Sequence, residues 1–529
     1  MEDSIEKALS NIIHFGDTDI FPFPFERNFF EEKFDDCKKY LLEIDRNFKT
    51  KLSSHPPLTI VQLNQVGYFG FRKATLIEPL WNAYYLALVL SIADDIEKAR
   101  IPLSEDCIYS YRFEWDDTKK SCFQSVTWND YRRQCLELSK KHDFIVQTDI
   151  SDFYSRIYHH KLENELDRIS KSTAEKIRLL LGEFSGKVSY GLPVGGPASR
   201  ILAELALNHA DRHLKSRGIK FCRYADDYTI FCDSQSEAYK ILILLAEKLA
   251  NEGLTLQKNK TKIIPGKEFQ DVHAFLDPQN IDNPAADEEQ KLLNISIRFD
   301  PYSETAVEDY NELKDAVKEI DIIGILSREV NKTRIDQTVT KQAINSIRVL
   351  DKQAQYHSMR ILLDPDNLIS LAPVFPSIMR AVRNIYLELD EAGQNLVDLS
   401  ILRLFEEESH LVHIEINVNY MLQVIFLKHS AVKEELMIKL FENSSNHFLK
   451  RQIILIMANW NSHYWLADIK KHFNTFTLWE RRPFIYGAYF LGDEGEHWIR
   501  NNRKYFDEIE KVMVGWFEDR FKNDNPILP

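Results

Sequence analysis

Apolar and polar residues alternate in two different rhythms along this chain, and the change of rhythm divides it. From residue 59 to about 265, strand-like runs rich in β-branched and aromatic residues interleave with helical stretches. Segments 69–79, 144–150, 221–231 and 254–264 read as strands, and 81–99 and 237–251 as helices. A polar, proline-punctuated stretch at 277–287 reads as a boundary. After one more strand-like piece at 292–299, nearly everything to residue 521 has helical spacing: 306–319, 342–351, 376–389, 396–406, 432–440, 449–458 and 507–520.

Before residue 59 the pattern is different again. The aromatic and proline run at 17–26 cannot be helical, a helix is expected from 28 to about 48, and 51–58 reads as a polar connector. The expected organisation is therefore an N-terminal arm and helix at 1–58, an α+β domain at 59–276, a linker at 277–300 and an all-α domain at 301–529. Helices of similar length separated by short polar loops suggest a helical-repeat solenoid of the HEAT type, with a plain bundle as the alternative.

Composition narrows the class. An apolar fraction of 44% over 529 residues is that of an ordinary globular protein with two or three cores. No run is long and apolar enough for a membrane span, and the N-terminus lacks a basic region followed by an apolar core. A soluble, cytosolic protein without membrane partners is expected. Six cysteines show no Cys-x-x-Cys spacing, so buried thiols are expected rather than a zinc site or disulfide framework. The net charge of -14 is unusual for a protein that grips a long duplex, because phosphate neutralisation dominates such affinity. Either the basic residues are segregated into one groove, or the nucleic acid held is short.

The candidate chemistry centres on 221–231. This run reads as two short strands joined by Ala225-Asp226-Asp227, and adjacent carboxylates at a hairpin tip repel each other unless a cation sits beside them. Hard oxygen ligands suit magnesium, which keeps water and substrate phosphates as its other ligands. Upstream, the strand at 144–150 delivers Asp149 at its end. Between the two lies a Gly/Pro loop, Gly191-Leu192-Pro193-Val194-Gly195-Gly196-Pro197-Ala198-Ser199, that opens an amphipathic helix. Downstream, 254–264 carries Lys258, Lys260 and Lys262.

This ordered set resembles the palm of reverse transcriptases: an aspartate followed by an aromatic, a Gly-Leu-Pro-x-Gly loop, a Tyr-Ala-Asp-Asp hairpin and a lysine-bearing strand. The resemblance implies a right-hand-like fingers and palm domain. It makes Asp149, Asp226 and Asp227 the ligands of two magnesium ions, for which manganese can substitute, and adds Ile150 to the metal and nucleotide contacts. It implies that Lys260 or Lys262 protonates the leaving pyrophosphate, and that Tyr154 lies beneath the sugar and excludes a 2′-hydroxyl. Arg72 and Lys73, with Arg112 in Ser110-Tyr111-Arg112-Phe113, would meet the triphosphate charge. Gly195 and Ser199 belong to the loop that approaches the nucleotide. One departure stands out: Val194 occupies a position where templated enzymes commonly carry glutamine, and valine cannot hydrogen-bond.

A lone palm joined to a long helical array, with valine in the loop, looks like the bacterial abortive-infection and defence-associated reverse transcriptases. That resemblance implies homo-oligomers, action against bacteriophage, and DNA synthesis from dNTPs without a conventional template. The single-stranded product would be attached to a tyrosine, with Tyr40, Tyr68, Tyr84 and Tyr85 as candidates, and RNA as a further partner. The alternatives are a conventional templated, retron-like reverse transcriptase, or a vestigial palm carrying a helical phage-sensing scaffold.

Overall fold

The computed structural model describes all residues except 19, 23–24, 274–291, 293–319, 333 and 529. The strand-like piece at 292–299 and the helix expected at 306–319 therefore lie outside the described residues, apart from Leu292. The chain forms two compact units, Met1–Val61 with Lys73–Asp282, and Gln62–Arg72 with Asn283–Pro529.

In the first unit, four helices, α1 (Glu2–Phe15), α2 (Glu26–Glu32), α3 (Phe34–Arg46) and α4 (Phe48–Ser54), precede a two-stranded ribbon, β1 (Thr59–Val66) and β2 (Gly70–Ile77). The single helix expected at 28–48 is broken at Lys33 and Asn47, whose backbones leave the helical region, and the expected connector at 51–58 is helical as far as Ser54. Helix α5 (Pro79–Leu90) is apolar on every side and is wrapped by α1 and by two later helices. Glu78 caps it by accepting from the Trp81 amide at 3.0 Å. It ends at Ser91, whose hydroxyl donates to the Leu88 carbonyl, so the helix expected at 81–99 is two, with α6 at Ala93–Ala99. A short ribbon, β3 (Phe113–Asp116) and β4 (Ser121–Phe123), leads to α7 (Trp128–Ser139).

The four-stranded sheet is antiparallel, in the order β6 (Lys220–Tyr224), β7 (Asp227–Cys232), β5 (Phe144–Asp149), β8 (Lys262–Pro265). Strand β5 is followed by α8 (Phe153–Arg156), α9 (His159–Asp167), α10 (Lys171–Phe184) and the 20-residue α11 (Pro197–Ser216). Side chains alternate across the pleat. Val146, Tyr228 and Ile230 face α11 and α12 (Gln235–Asn251), whereas Ile145 and Phe231 face α7 and α13 (Gly266–His273) in a core that includes Tyr131, Cys135, Cys222 and Phe269. The basic strand expected at 254–264 is a strand only from Lys262, because the Lys260 and Thr261 amides fold back onto the Gln257 carbonyl at 3.1 and 3.0 Å. All six cysteines are buried and free.

Among its described residues the second unit is helical apart from the ribbon tip. Helices Phe375–Ile385, Glu415–Ile425, His447–Asn459, Leu478–Ala488 and Glu508–Lys522 pack on one another in succession. Glu415–Ile425 is buried at nearly every position, as a helix covered on both flanks must be. Between them run helices with one wet face, Glu391–Glu406, Ala431–Asn443, His463–Ile469 and Asp493–Asn502. The ribbon tip belongs to this unit. The Tyr68 hydroxyl donates to the Ser370 carbonyl and accepts from the Ile335 amide, both at 2.9 Å, and the Asn419 amide donates to Gln62 at 3.1 Å. The segment expected to form the fingers of the α+β domain is thus divided between the two units.

Candidate active site

Tyr224 pairs with Asp227 across β6 and β7, which leaves Ala225 and Asp226 as the two-residue turn, and Asp149 pairs with Asp227 across β5 and β7. Asp149 and Asp227 therefore lie side by side on the α7 face, with Asp226 at the tip. Ala225 takes φ +52°, a left-handed conformation that costs a non-glycine residue about 1–2 kcal/mol. Burial, and then the neighbouring charges of Asp149 and Asp227, push the Asp226 carboxyl up from 3.8 to about 7. The Lys260 ammonium donates to Asp149 Oδ2, while Asp149 Oδ1 is buried with no hydrogen-bond partner.

The orphaned Asp149 oxygen and the Asp226 carboxyl, raised by burial and by its neighbours, are both what a bound cation would relieve. Among the described residues no group of three or more Asp, Glu, His or Cys side chains is placed to hold a metal ion by itself. A carboxylate edge that water and phosphate complete is the arrangement magnesium accepts. A cavity of about 210 Å³ opens beside Asp149 and Asp227, walled by Trp128, Tyr131, Lys260 and Lys262.

The Gly/Pro loop at 191–199 hangs from the segment after β5. The Leu192 amide donates to the Tyr154 carbonyl at 2.8 Å, and the Gly191 amide to that of Ile157 at 2.9 Å. Gly195 has φ +113°, a value that glycine adopts freely. Tyr154 is half-buried, and its phenol is pushed up by burial and by the nearby Tyr111. Arg200 and Asp226 are among the charges near enough to act on it.

Other expected site residues sit elsewhere. Arg112 is buried, donates to the Ile101 carbonyl at 3.0 Å and is paired with Glu97; its charge is met inside the protein, which removes it from the expected triphosphate contacts. The Ser199 hydroxyl is buried, 3.4 Å from that of Tyr85, and is not presented to a ligand. The Ile150 side chain is buried, with its backbone bridged to Leu256. Arg72 and Lys73 are exposed on β2, Arg72 within the second unit. Lys262 is exposed on β8 opposite Gln147.

Sequence reading missed the charge cluster behind the hairpin. Arg223 is fully buried between Glu204 and Asp211 of α11, and Arg100 also reaches Glu204. Burial pushes Glu204 up, but Arg223 and Arg100 outweigh it and hold the carboxyl below its ordinary range; at Asp211 burial wins and the carboxyl is raised. Two carboxylates seven residues apart on the apolar face of a helix were the available signal. Arg200 was missed as well: its guanidinium lies 5.2 Å over the Tyr111 ring.

Residues 95–295 match the family model for reverse transcriptase (RNA-dependent DNA polymerase), so the chain carries a reverse transcriptase domain. The retron Ec86 reverse transcriptase of Escherichia coli is 28% identical over 127 residues, which make up 23% of this chain and 38% of that protein. The chain thus spans about two fifths of this curated relative's length. Solved structures that align with the chain include telomerase from Candida albicans, at 10% identity and a TM-score of 0.29 over 66% of this chain and 67% of that one. Telomerase from Candida tropicalis aligns at 10% and 0.30 over 73% and 68%.

Proposed function

We propose that this chain is a DNA polymerase of the reverse transcriptase type, working without a conventional template from a primer attached to its own tyrosine, within an anti-phage defence system. The observation that carries the polymerase reading is the juxtaposition of Asp149 with Asp227 across β5 and β7, with Asp226 at the adjoining tip. Asp149, Asp226 and Asp227 would hold two magnesium ions, which supply the electrostatic stabilisation of an in-line phosphoryl displacement. Lys260, already hydrogen-bonded to Asp149, is placed to give a proton to the departing pyrophosphate. The Tyr154 ring closes the space beneath the sugar. The exposed Arg72 and Lys73 remain candidates for the triphosphate.

Untemplated synthesis is supported by the net charge of -14 and by Val194, whose apolar side chain offers the nascent pair no hydrogen bond. In the priming step a tyrosine oxygen attacks the α-phosphorus of a dNTP, pyrophosphate leaves, and the phenol proton passes to solvent. Tyr84 and Tyr85 are unsuited to it: both are buried, and Tyr84 donates to Asp45 at 2.8 Å. Tyr68 is engaged by Ser370 and Ile335. Tyr190, 49% exposed and next to the Gly191 loop, is better placed than these three, and Tyr40 remains a candidate. The succession of buried helices with wet helices between them supports the HEAT-type reading of the second unit, which we assign to assembly with further copies and to sensing the phage trigger. No described helix is long and apolar enough to cross a membrane.

The retron relative favours a second reading, conventional templated synthesis. The test is to incubate the purified protein with each labelled dNTP and magnesium, without primer or template. Separate protease and nuclease digestion and mass spectrometry of the peptides follow. A tyrosyl-nucleotide peptide and primer-free product are expected. A strict requirement for added primer and template, with no such peptide, would select the second reading.

A further inference from the structure

Arg223 is 0% exposed, and every nitrogen of its guanidinium is engaged. Nε donates to Asp211 Oδ1 at 3.0 Å, and Nη2 donates to Asp211 Oδ2 at 2.7 Å and to Glu204 Oε2 at 2.8 Å. Nη1 donates to Glu204 Oε1 at 3.2 Å and to the Ala225 carbonyl at 2.7 Å. The last bond differs in kind from the rest, because its acceptor is the peptide group that precedes Asp226. The same turn holds Ala225 in its left-handed conformation, a state that persists only where its surroundings over-determine it.

The anchor itself is fixed from several sides. Glu204 also accepts from the Ser110 hydroxyl and from Arg100 Nη2, each at 2.6 Å, and Arg100 Nη1 donates to the Tyr111 carbonyl at 2.9 Å. One buried carboxylate on α11 thus ties together the hairpin, the end of α6 and the segment carrying Tyr111. A buried charge cluster of this kind returns in Coulomb energy little more than its desolvation takes, so net stability is a poor account of it. Orientation is a better one, since five directed bonds leave the Ala225 carbonyl one place to be.

We propose that Arg223 is a positioning residue for the metal-holding edge: by fixing the Ala225 carbonyl against Glu204 and Asp211, it sets the direction in which the Asp226 carboxylate leaves the turn. Asp226 and Asp149 then meet a cation at a fixed spacing, as groups behind metal ligands generally ensure. The inference rests on the nucleotidyl-transfer reading for what the edge does, but it can be read without catalysis.

The test compares Mn²⁺ binding, followed by electron paramagnetic resonance, in the wild-type protein and three variants, each well below its own unfolding midpoint. Arg223→Lys keeps the charge for the two carboxylates but cannot span Glu204, Asp211 and Ala225 together. The combination of Glu204→Gln, Asp211→Asn and Arg223→Met removes the three charges that meet behind the hairpin and leaves Arg100 to its second partner, Glu97. Asp211→Asn alone leaves the bond to Ala225 in place. Both variants at Arg223 should weaken Mn²⁺ about tenfold or more. Their kcat for nucleotide incorporation should fall while the KM for dNTP stays within about twofold, the split expected when an interaction made mainly in the transition state is lost. Asp211→Asn should lower the midpoint and leave Mn²⁺ binding as in the wild type. Wild-type Mn²⁺ affinity in both Arg223 variants would overturn the proposal, and so would an equal loss in Asp211→Asn, which would show general loosening. If the wild-type protein binds Mn²⁺ and both Arg223 variants weaken that binding, yet the wild type incorporates no nucleotide, the polymerase reading fails and the positioning role stands.

Discussion

Asp149 and Asp227 are cross-strand partners on β5 and β7, with their side chains on the same face of the sheet. Two carboxylates so placed raise each other's energy unless a cation lies between them. Their removal should therefore separate function from folding. Asp149→Ala and Asp226→Ala are each expected to reduce nucleotide incorporation by at least about 10²-fold with the unfolding midpoint unchanged or raised. A denaturing gel of labelled product and a thermal melt measure the two, and full synthesis by both variants would remove the polymerase assignment.

The pH response of the metal-free protein follows from Asp226. Its carboxyl is raised from 3.8 to about 7 in the folded state, so the fold holds this proton more tightly than the unfolded chain does. The stability it contributes is present in full below about pH 4 and is lost as pH rises through about 7, a change on the order of 2–4 kcal/mol. Calorimetry in the presence of a chelator should show the midpoint falling between about pH 4 and pH 7 and levelling above that, and Asp226→Asn should flatten the fall. Because a divalent ion competes with the same proton, the metal needed for half-saturation should decrease as pH approaches 7.

Arg112 distinguishes a buried from a ligand-facing cation. Arg112→Met removes one of the two guanidiniums that meet Glu97, the other being Arg100, and takes away the donor of the buried Ile101 carbonyl, so it should destabilise the fold by about 1–3 kcal/mol. The KM for dNTP should be unchanged at a temperature where the variant is folded. A raised KM with an unaltered melt would restore Arg112 to the nucleotide site.

Tyr154→Ala opens space beside Asp226 and should raise ribonucleotide over deoxyribonucleotide use by about 10–100-fold. Competition between labelled dNTPs and rNTPs reads the ratio, and an unchanged preference would remove Tyr154 from the gate.

The hairpin was legible because its signal is local. Strand residues flank a turn, and cross-strand pairing follows from the two-residue loop, so Asp226 and Asp227 fall where the sequence puts them. Asp149 was legible for the same reason, as the last residue of an apolar strand. What failed was non-local. Nothing near Arg112 in sequence announces that Glu97, fifteen residues earlier on another element, takes its charge. Lys33, Asn47 and Ser91 break helices whose apolar periodicity runs on through them, because periodicity records the buried face and not the continuity of the backbone. Arg223 lay in plain view beside the Tyr-Ala-Asp-Asp turn, yet its burial depends on α11, which no residue of the hairpin specifies.

The ribbon formed by β1 and β2 bears on how this chain can be dissected. With Gln62–Arg72 belonging to the second unit, no single cut in the sequence separates the two halves. Truncation after residue 282 would strand Tyr68 and Gln62 without Ser370, Ile335 and Asn419, beside Phe69 and Phe71, already 84% and 51% exposed. A ribbon left in that state invites aggregation. A fragment meant to retain only the polymerase half must also replace residues 62–72 with a short polar turn, and the helical half must be supplied with that peptide in return.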